Sequence, residues 1–417
     1  MFTFQSLKNS KELPKLFSVV LDQGLMSLTT LFTTVVLARV FSKEIYAEVV
    51  LLFAITIFFH GFQSALISKP YAINLNDFTK GHSRAYFNFN LKLKLMFTLG
   101  MVLLFPLFYY FSFEGWDTKR FFLFLFYIVG HSTYFFVREA LLSQRKTIQN
   151  LKYGLFCCLS LMVLLTYMYF GNIKQLAFFL ITAPIIYLSA AFIYILTNYK
   201  RTLLDTFGFK HYWNSNWLVG KWLVGSNVLF HISSNIYPWL LLYITSDEDI
   251  AVFGVLMSVA GLVNPILTAL SSYLLPVFVK MNDNYLKVNN RVHKWLLLFI
   301  TLAFILVITG YFFGQDIITL LFGSKYTSLG LLTVYPFLVQ AIIVIFQPFK
   351  IALNAIKRTD INFYVLLPRS VLTVILGYWF VKSYGLLGVF YTMMIENFCY
   401  QLFYYLWYRK IIKSRGV

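Results

Sequence analysis

Charged residues and cysteines are both scarce in this sequence of 417 residues. Only 12% of the residues are Asp, Glu, Lys or Arg, about half of the ~25% that soluble domains carry, whereas 59% are apolar. The three cysteines, Cys157, Cys158 and Cys399, have neither the spacing of metal ligands nor that of a disulfide framework. The composition therefore excludes a soluble domain and a cysteine-based scaffold, and it indicates an integral membrane protein.

Apolar stretches long enough to cross the ~30 Å core of a bilayer recur along the whole chain. Twelve are predicted as membrane spans: about 16–40, 46–68, 91–113, 120–141, 150–170, 176–198, 217–245, 250–278, 295–314, 330–352, 361–381 and 386–408. The longest connections, 69–90 and 199–216, leave no room for a soluble catalytic domain. We therefore predict an all-α polytopic membrane protein of about twelve transmembrane helices.

Basic residues outnumber acidic ones, 35 to 16, which gives a net charge of +19. When alternate loops are assigned to the side of the N-terminus, 27 of the 35 Lys and Arg residues fall on that side. Because cytoplasmic loops carry the excess of Lys and Arg in multi-pass proteins, both termini are predicted to be cytoplasmic. The charge thus orients the protein, and anionic lipid head groups rather than nucleic acid are the expected partners.

Polar residues form a stripe on one face of four predicted spans, and such stripes are costly unless they face other helices or water. The stripes comprise Asp22, Gln23, Thr29 and Thr33 on span one, His60 and Ser64 on span two, Asn227, His231 and Ser234 on span seven, and Asn264 and Thr268 on span eight. A shift of about 204 residues places polar positions of spans one and two on polar positions of spans seven and eight, with few identities, which suggests a duplication. The predicted domains are an N-terminal lobe of residues 1–198, a connecting segment of residues 199–216 and a C-terminal lobe of residues 217–417.

Asp22 and His60 lie at similar predicted depths, ~9 Å and ~12 Å from the cytoplasmic ends of their spans. A carboxylate and an imidazole at one depth can exchange a proton or hold a cation. We predict this role for the pair, with Asp22 directed toward Asn227 and His231 of span seven. The alternatives are a hydrated Asp22 at the rim of a cavity and a His60 bonded to a backbone carbonyl or to Ser64.

The chain resembles a known group of transporters in its twelve spans, in its two halves and in three short motifs. The motifs are the early Asp22-Gln23 pair, the Leu37-Ala38-Arg39 turn into span two, and the Leu321–Tyr326 element (LFGSKY) between spans nine and ten. In these features it is similar to the Wzx-type O-antigen flippases of the multidrug, oligosaccharidyl-lipid and polysaccharide exporter superfamily. The resemblance implies two six-helix lobes around a central cavity.

The resemblance also implies a function. The expected activity is translocation of undecaprenyl-pyrophosphate-linked oligosaccharide repeat units across a bacterial inner membrane, from the cytoplasmic to the periplasmic leaflet. Transport would proceed by alternating access without cofactor or enzymatic activity, with a proton or sodium gradient as the driving force. A polysaccharide polymerase and a chain-length regulator are expected partners. Two alternatives remain, a multidrug or cation antiporter of the same superfamily and a membrane polysaccharide polymerase. A polymerase should have a sizeable periplasmic loop with catalytic groups, and the periplasmic connections here are short.

Cationic residues at the predicted cytoplasmic mouth are the expected ligands of the pyrophosphate under that function. They are Lys69, Arg138, Lys221 and Lys280. The alternative role for each is to set the orientation of the protein in the membrane or to anchor a helix end at the membrane interface. Arg369 lies inside span eleven and needs an anion there. That anion is either Glu396 of span twelve, in a structural ion pair, or the pyrophosphate.

Overall fold

The computed structural model describes residues 13–75, 80–198, 208–279, 285–356 and 361–414, and these residues are helical almost throughout. The α-helices are interrupted by a π-helical turn, Ser64–Ser68, and by two short 3₁₀ turns, Ser324–Tyr326 and Gly330–Val334. No strand occurs in these ranges, so the predicted all-α architecture is confirmed. The helices are α1 (Leu13–Val40), α2 (Lys43–Gln63), α3 (Lys69–Asn74), α4 (Lys80–Ser112), α5 (Thr118–Ser143), α6 (Thr147–Phe170), α7 (Leu176–Asn198), α8 (Gly208–Ser234), α9 (Tyr237–Ile244), α10 (Asp247–Gly261), α11 (Asn264–Val279), α12 (Tyr285–Phe322), α13 (Tyr335–Ala355), α14 (Ile361–Tyr384) and α15 (Leu386–Ser414).

Ten helical stretches of the described chain are long and apolar enough to cross a membrane, so this is a multi-pass membrane protein. They are Phe17–Val40, Lys43–Asn74, His82–Ser112, Thr118–Ser143, Thr147–Phe170, Leu176–Thr197, Asp247–Val279, Leu286–Phe322, Gly330–Ala355 and Phe363–Tyr384. The two remaining predicted spans, 217–245 and 386–408, are also helical, as α8 with α9 and as α15. These helices contain more polar side chains, among them Asn227 and His231 in α8 and Glu396 in α15.

The chain divides into two compact units. The first lies within Met1–Phe41 and Glu48–Val228, and the second within Ser42–Ala47 and Leu229–Val417. The turn between α1 and α2 therefore belongs to the second unit, where Lys43 pairs with Glu248 and its Nζ lies 5.8 Å from the ring centre of Tyr326. The boundary between the units lies inside α8. The sequence instead predicted a connecting segment at 199–216, and residues 199–207 of that segment lie outside the described ranges. The predicted lobe boundaries stay a prediction.

In the first unit, α1 packs against α6 and α5 packs against α7. The α5–α7 contact is close because Gly130 has no side chain: a Cβ there would lie 2.5 Å from the Cβ of Pro184. Helix α5 starts at a well-formed cap, since the side chain of Asp117 accepts hydrogen bonds from the backbone N–H groups of Lys119 and Arg120. This helix then carries several of the polar residues described below.

In the second unit, α13 packs against α12 and α15, and α14 packs against α15. Aliphatic and aromatic side chains fill the space between these helices, including Leu274, Phe299, Val344 and Tyr404, all at most 1% exposed. Other large apolar side chains point outward, such as Leu103 at 80% exposed. Exposed apolar side chains of this kind suit a surface that faces lipid.

Candidate functional site

A buried ion pair joins α1 to α5 in the first unit. The Arg138 guanidinium donates to both carboxylate oxygens of Asp22, with Nη1–Oδ1 at 3.1 Å and Nη2–Oδ2 at 2.5 Å. Asn150 of α6 donates to Oδ2 at 2.8 Å, and Arg138 Nη1 also donates to the hydroxyl of Tyr134 at 3.0 Å. Asp22, Arg138 and Asn150 are at most 2% exposed. This two-point geometry is the strong form of an arginine–carboxylate interaction.

Gly154 of α6 provides the space that this ion pair occupies. A Cβ at this position would lie 2.6 Å from Asp22 Oδ1 and 3.1 Å from Arg138 Nη1. Any larger residue would displace the carboxylate or the guanidinium from its partner. Gly154 and Asn150 therefore belong to the same arrangement as the two charges, and the sequence carried no signal for either of them.

The structure differs from the predicted pairing of Asp22 with His60. Both oxygens of Asp22 are engaged by α5 and α6 within its own unit, because Arg138 supplies a full counter-charge there. The carboxylate is 0% exposed, so it is not the water-facing group that the sequence predicted. Gln23, its neighbour on α1, is exposed.

His60 has a different acidic neighbour. Its Nε2 lies 4.0 Å from Oε1 of Glu139 on α5, and Ser64 donates to the same Oε1 at 2.8 Å. Ser64 begins the π-helical turn that follows α2. Such turns are rare and often occur at functional sites. The sequence placed His60 and Ser64 on one face, and the structure adds Glu139 as the carboxylate that they share.

A buried lysine lies in the same unit. Lys94 of α4 is 3% exposed, and its Nζ donates to Oγ of Ser132 at 2.5 Å. Ser132 in turn donates to Oε1 of Gln63 at 2.7 Å, and Gln63 Nε2 donates to the backbone oxygen of Ser132 at 3.0 Å. Gln63 directly precedes the π-helical turn and Ser64 is its first residue. The polar contacts of both residues with α5 therefore lie at the start of the turn.

A cavity of about 220 Å³ lies within the first unit, between α1, α2, α5, α6 and α7. Its lining combines aromatic rings, threonine hydroxyls, two histidines and two cysteines: Met26, Thr29, Thr30, Thr33, Phe53, Thr56, Ile57, His60, Tyr127, His131, Tyr134, Phe135, Cys157, Cys158, Leu161 and Tyr187. No Asp, Glu, Lys or Arg is among these described lining residues. The cavity is therefore mainly apolar, with a minority of polar groups and no charged side chain among these residues.

Other predicted site residues lie apart from this cavity's lining. Lys69 and Lys221 are exposed, and Asn264 is exposed at the start of α11. His231 is buried, with Nδ1 2.9 Å from the amide nitrogen of Asn235 one turn later. Asn227 lies half-buried four residues before His231 on the same helix. Lys280 lies outside the described residues.

In the second unit, Arg369 of α14 and Glu396 of α15 are brought together. Nη2 of Arg369 donates to Oε1 of Glu396 at 3.0 Å, and Thr373 donates to the other carboxylate oxygen. The guanidinium carbon lies 4.8 Å from the ring centre of Tyr400. Glu396 is 0% exposed. The anion near Arg369 is thus Glu396, the first of the two alternatives, while the function of the pair stays a prediction.

Metal ligands are not grouped in the described part of the chain, where no three His, Cys, Asp or Glu side chains come together. No known protein-family model matches the chain, and no curated protein matches its sequence significantly.

Solved structures, in contrast, match this chain over nearly its whole length. An inward-facing MATE-family multidrug transporter of the multidrug, oligosaccharidyl-lipid and polysaccharide superfamily is similar with a TM-score of 0.72 and 15% identity, over 93% of this chain and 94% of that one. The lipid II flippase MurJ is similar with a TM-score of 0.68 and 16% identity, over 94% and 87%. A mutant MATE transporter from Vibrio cholerae is similar with a TM-score of 0.59 and 13% identity, over 97% of both chains.

The chain has the fold that these solved structures share. Identities of 13–16% establish the fold alone, since one fold serves different substrates in different proteins. The function must therefore be argued from the chain's own residues. The described site residues of the first unit form three features: the Asp22–Arg138 ion pair, the His60–Glu139 contact and a cavity without charged lining residues.

Proposed function

We propose that this protein is a flippase that moves undecaprenyl-pyrophosphate-linked oligosaccharide repeat units from the cytoplasmic to the periplasmic leaflet. The fold supports transport across a membrane as such, because it is shared with a multidrug transporter and with a lipid II flippase. The observation that favours the flippase is the charge arrangement of the first unit. Asp22 is neutralised by Arg138, and no carboxylate lines the cavity in the described residues.

A cationic drug would find little stabilisation in such a site. A desolvated cation needs a counter-charge, and the buried carboxylate of Asp22 already has one. A sugar repeat unit carries many neutral hydroxyl groups, which suit threonine and imidazole partners. Its pyrophosphate requires cations, for which the exposed Lys69 and Lys221 remain, whereas Arg138 and Arg369 each hold a carboxylate.

Ion coupling is part of this proposal. Glu139 and His60 are both half-buried, they approach to 4.0 Å, and one oxygen of Glu139 is buried without a hydrogen-bond partner. Titratable groups placed this way inside a membrane protein are candidates for proton or sodium binding. We therefore propose the His60–Glu139 pair as the coupling site, in place of the Asp22–His60 pair that the sequence predicted.

The multidrug antiporter is the second candidate, since the MATE-family fold is shared along the whole chain. Deletion of the gene in its own host separates the two functions. A flippase deletion should abolish surface polysaccharide and accumulate the lipid-linked repeat unit in the cytoplasmic leaflet, and a plasmid copy should restore both. Sensitivity to ethidium should not change. Normal surface polysaccharide together with increased ethidium sensitivity would contradict the proposal and favour the antiporter.

A further inference from the structure

The cavity of the first unit has a volume between that of a single water and that of a common ligand pocket. Its 220 Å³ lies below the ~300–1,000 Å³ of common ligand pockets. It exceeds the ~30 Å³ share of one water molecule by roughly sevenfold. The volume thus suits one six-membered ring with its substituents.

The walls of the cavity offer flat apolar faces. Five aromatic residues line it, and several rings contact one another, with Tyr134 and Tyr187 stacked at 4.9 Å between centroids and Phe53 and Tyr127 at 5.8 Å. Rings packed in this way hold each other in position, so the surface they present is rigid and amphipathic. A flat ligand with apolar faces can pack on it without ordering loose side chains.

Some polar atoms of the lining can accept hydrogen bonds. The hydroxyls of Thr29, Thr33 and Thr56 donate to backbone oxygens one turn earlier, at 2.7–2.8 Å, which leaves their oxygen lone pairs free to accept. A purely apolar ligand would leave these groups unsatisfied, which costs affinity.

We propose that this cavity binds one neutral pyranose ring of the transported sugar. The ring would place its apolar faces on the aromatic walls and donate hydroxyls to the threonines. The inference rests on the function proposed above and adds to it a location and a chemical class, namely an uncharged sugar held inside the first unit. The pyrophosphate is bound elsewhere, because no Lys or Arg is among the described residues that line the cavity.

Binding of two defined lipids to the full-length protein in sugar-free nanodiscs tests this site. The probes are undecaprenyl pyrophosphate and the same lipid carrying one N-acetylglucosamine. The unmodified protein should prefer the sugar-bearing lipid. Thr33→Val and Thr56→Val keep the side-chain shape but remove an acceptor, so each should reduce the preference roughly 3- to 10-fold.

Thr34→Val is the matched control. Thr34 follows Thr33 on α1 and also donates to its own helix, but it does not line the cavity. This variant should keep the preference of the unmodified protein. An equal preference in all four proteins would overturn the sugar site while leaving the flippase function intact. Failure of both lipids to bind the unmodified protein would contradict the proposed function itself.

Discussion

At the scale of single residues, Asp22 is held by Arg138 and Asn150 in a site from which water is excluded. A buried ion pair of this kind contributes little net stability, but removal of one partner strands the other charge. Asp22 and Arg138 are 116 residues apart in the sequence and connect α1 to α5. Loss of the pair should therefore affect the packing of the whole first unit.

Asp22→Asn is expected to destabilise the protein, because Arg138 would lose its counter-charge. The loss should be roughly 3–5 kcal/mol, as in other buried pairs from which one partner is removed. The loss of stability is measured by thermal unfolding in nanodiscs and by abundance in the membrane. Gln23→Ala, a change at an exposed neighbouring residue, is the control. The double variant Asp22→Asn/Arg138→Gln should recover part of the stability. Normal abundance and unfolding of Asp22→Asn with loss of transport would instead assign Asp22 to ion coupling.

Gly154→Ala is expected to destabilise as well, although alanine favours a helix. Its methyl group would lie 2.6 Å from Asp22 Oδ1, so the carboxylate must move away from Arg138. Gly24→Ala is the matched control, because a Cβ at Gly24 meets nothing within 4 Å. That control should raise stability by up to ~1 kcal/mol through helix propensity. Equal unfolding temperatures for the two variants would show that the ion pair tolerates displacement.

The sequence predicted some of these contacts and missed others for physical reasons. Arg369 and Glu396 could be paired because two isolated charges at similar depth on consecutive helices need each other. Arg138 was read as a cation at a helix end, since no local pattern connects it to Asp22. The contact of His60 with Glu139 was missed because it depends on how α2 and α5 pack. Long-range packing of this kind leaves no trace in helical periodicity.

At the scale of helices, the Arg369–Glu396 pair joins α14 to α15. Both charges lie in apolar helices, and Thr373 and the ring of Tyr400 complete their surroundings. The π-helical turn after α2 plays a similar role in the first unit, since Gln63 and Ser64 connect it to Ser132 and Glu139 of α5. Polar contacts at two helix interfaces thus fix which faces of these apolar helices meet.

Arg369→Ala and Glu396→Ala should each accumulate poorly, because each leaves a buried charge without a partner. The exchanged variant Arg369→Glu/Glu396→Arg should recover in part. Membrane abundance by immunoblot and unfolding temperature report the effect. Lys382→Ala, an exposed cation on the same helix α14, should behave as the unmodified protein. If Arg369→Ala gave normal abundance but no transport, a role in binding pyrophosphate would replace the structural one.

At the scale of the whole molecule, the distribution of Lys and Arg predicts the orientation in the membrane. Cysteines introduced at Lys174 or Lys382 should react with a membrane-impermeant maleimide added outside intact cells. Cysteines at Lys200 or Lys287 should react only after the cells are opened. A Cys157→Ser/Cys158→Ser/Cys399→Ser background removes the native thiols. External labelling at Lys287 would reverse the assignment and place the exposed Lys69 and Lys221 on the periplasmic side.

The central claim is that this fold moves a lipid-linked sugar rather than a cationic drug. Liposomes containing the purified protein, undecaprenyl-pyrophosphate-linked N-acetylglucosamine and an imposed proton or sodium gradient test it most directly. A glycosyltransferase added outside should modify the inner-leaflet lipid over time only when the protein is present. Ethidium should not be transported in the same vesicles. Transport of ethidium without movement of the sugar lipid under either gradient would contradict the account.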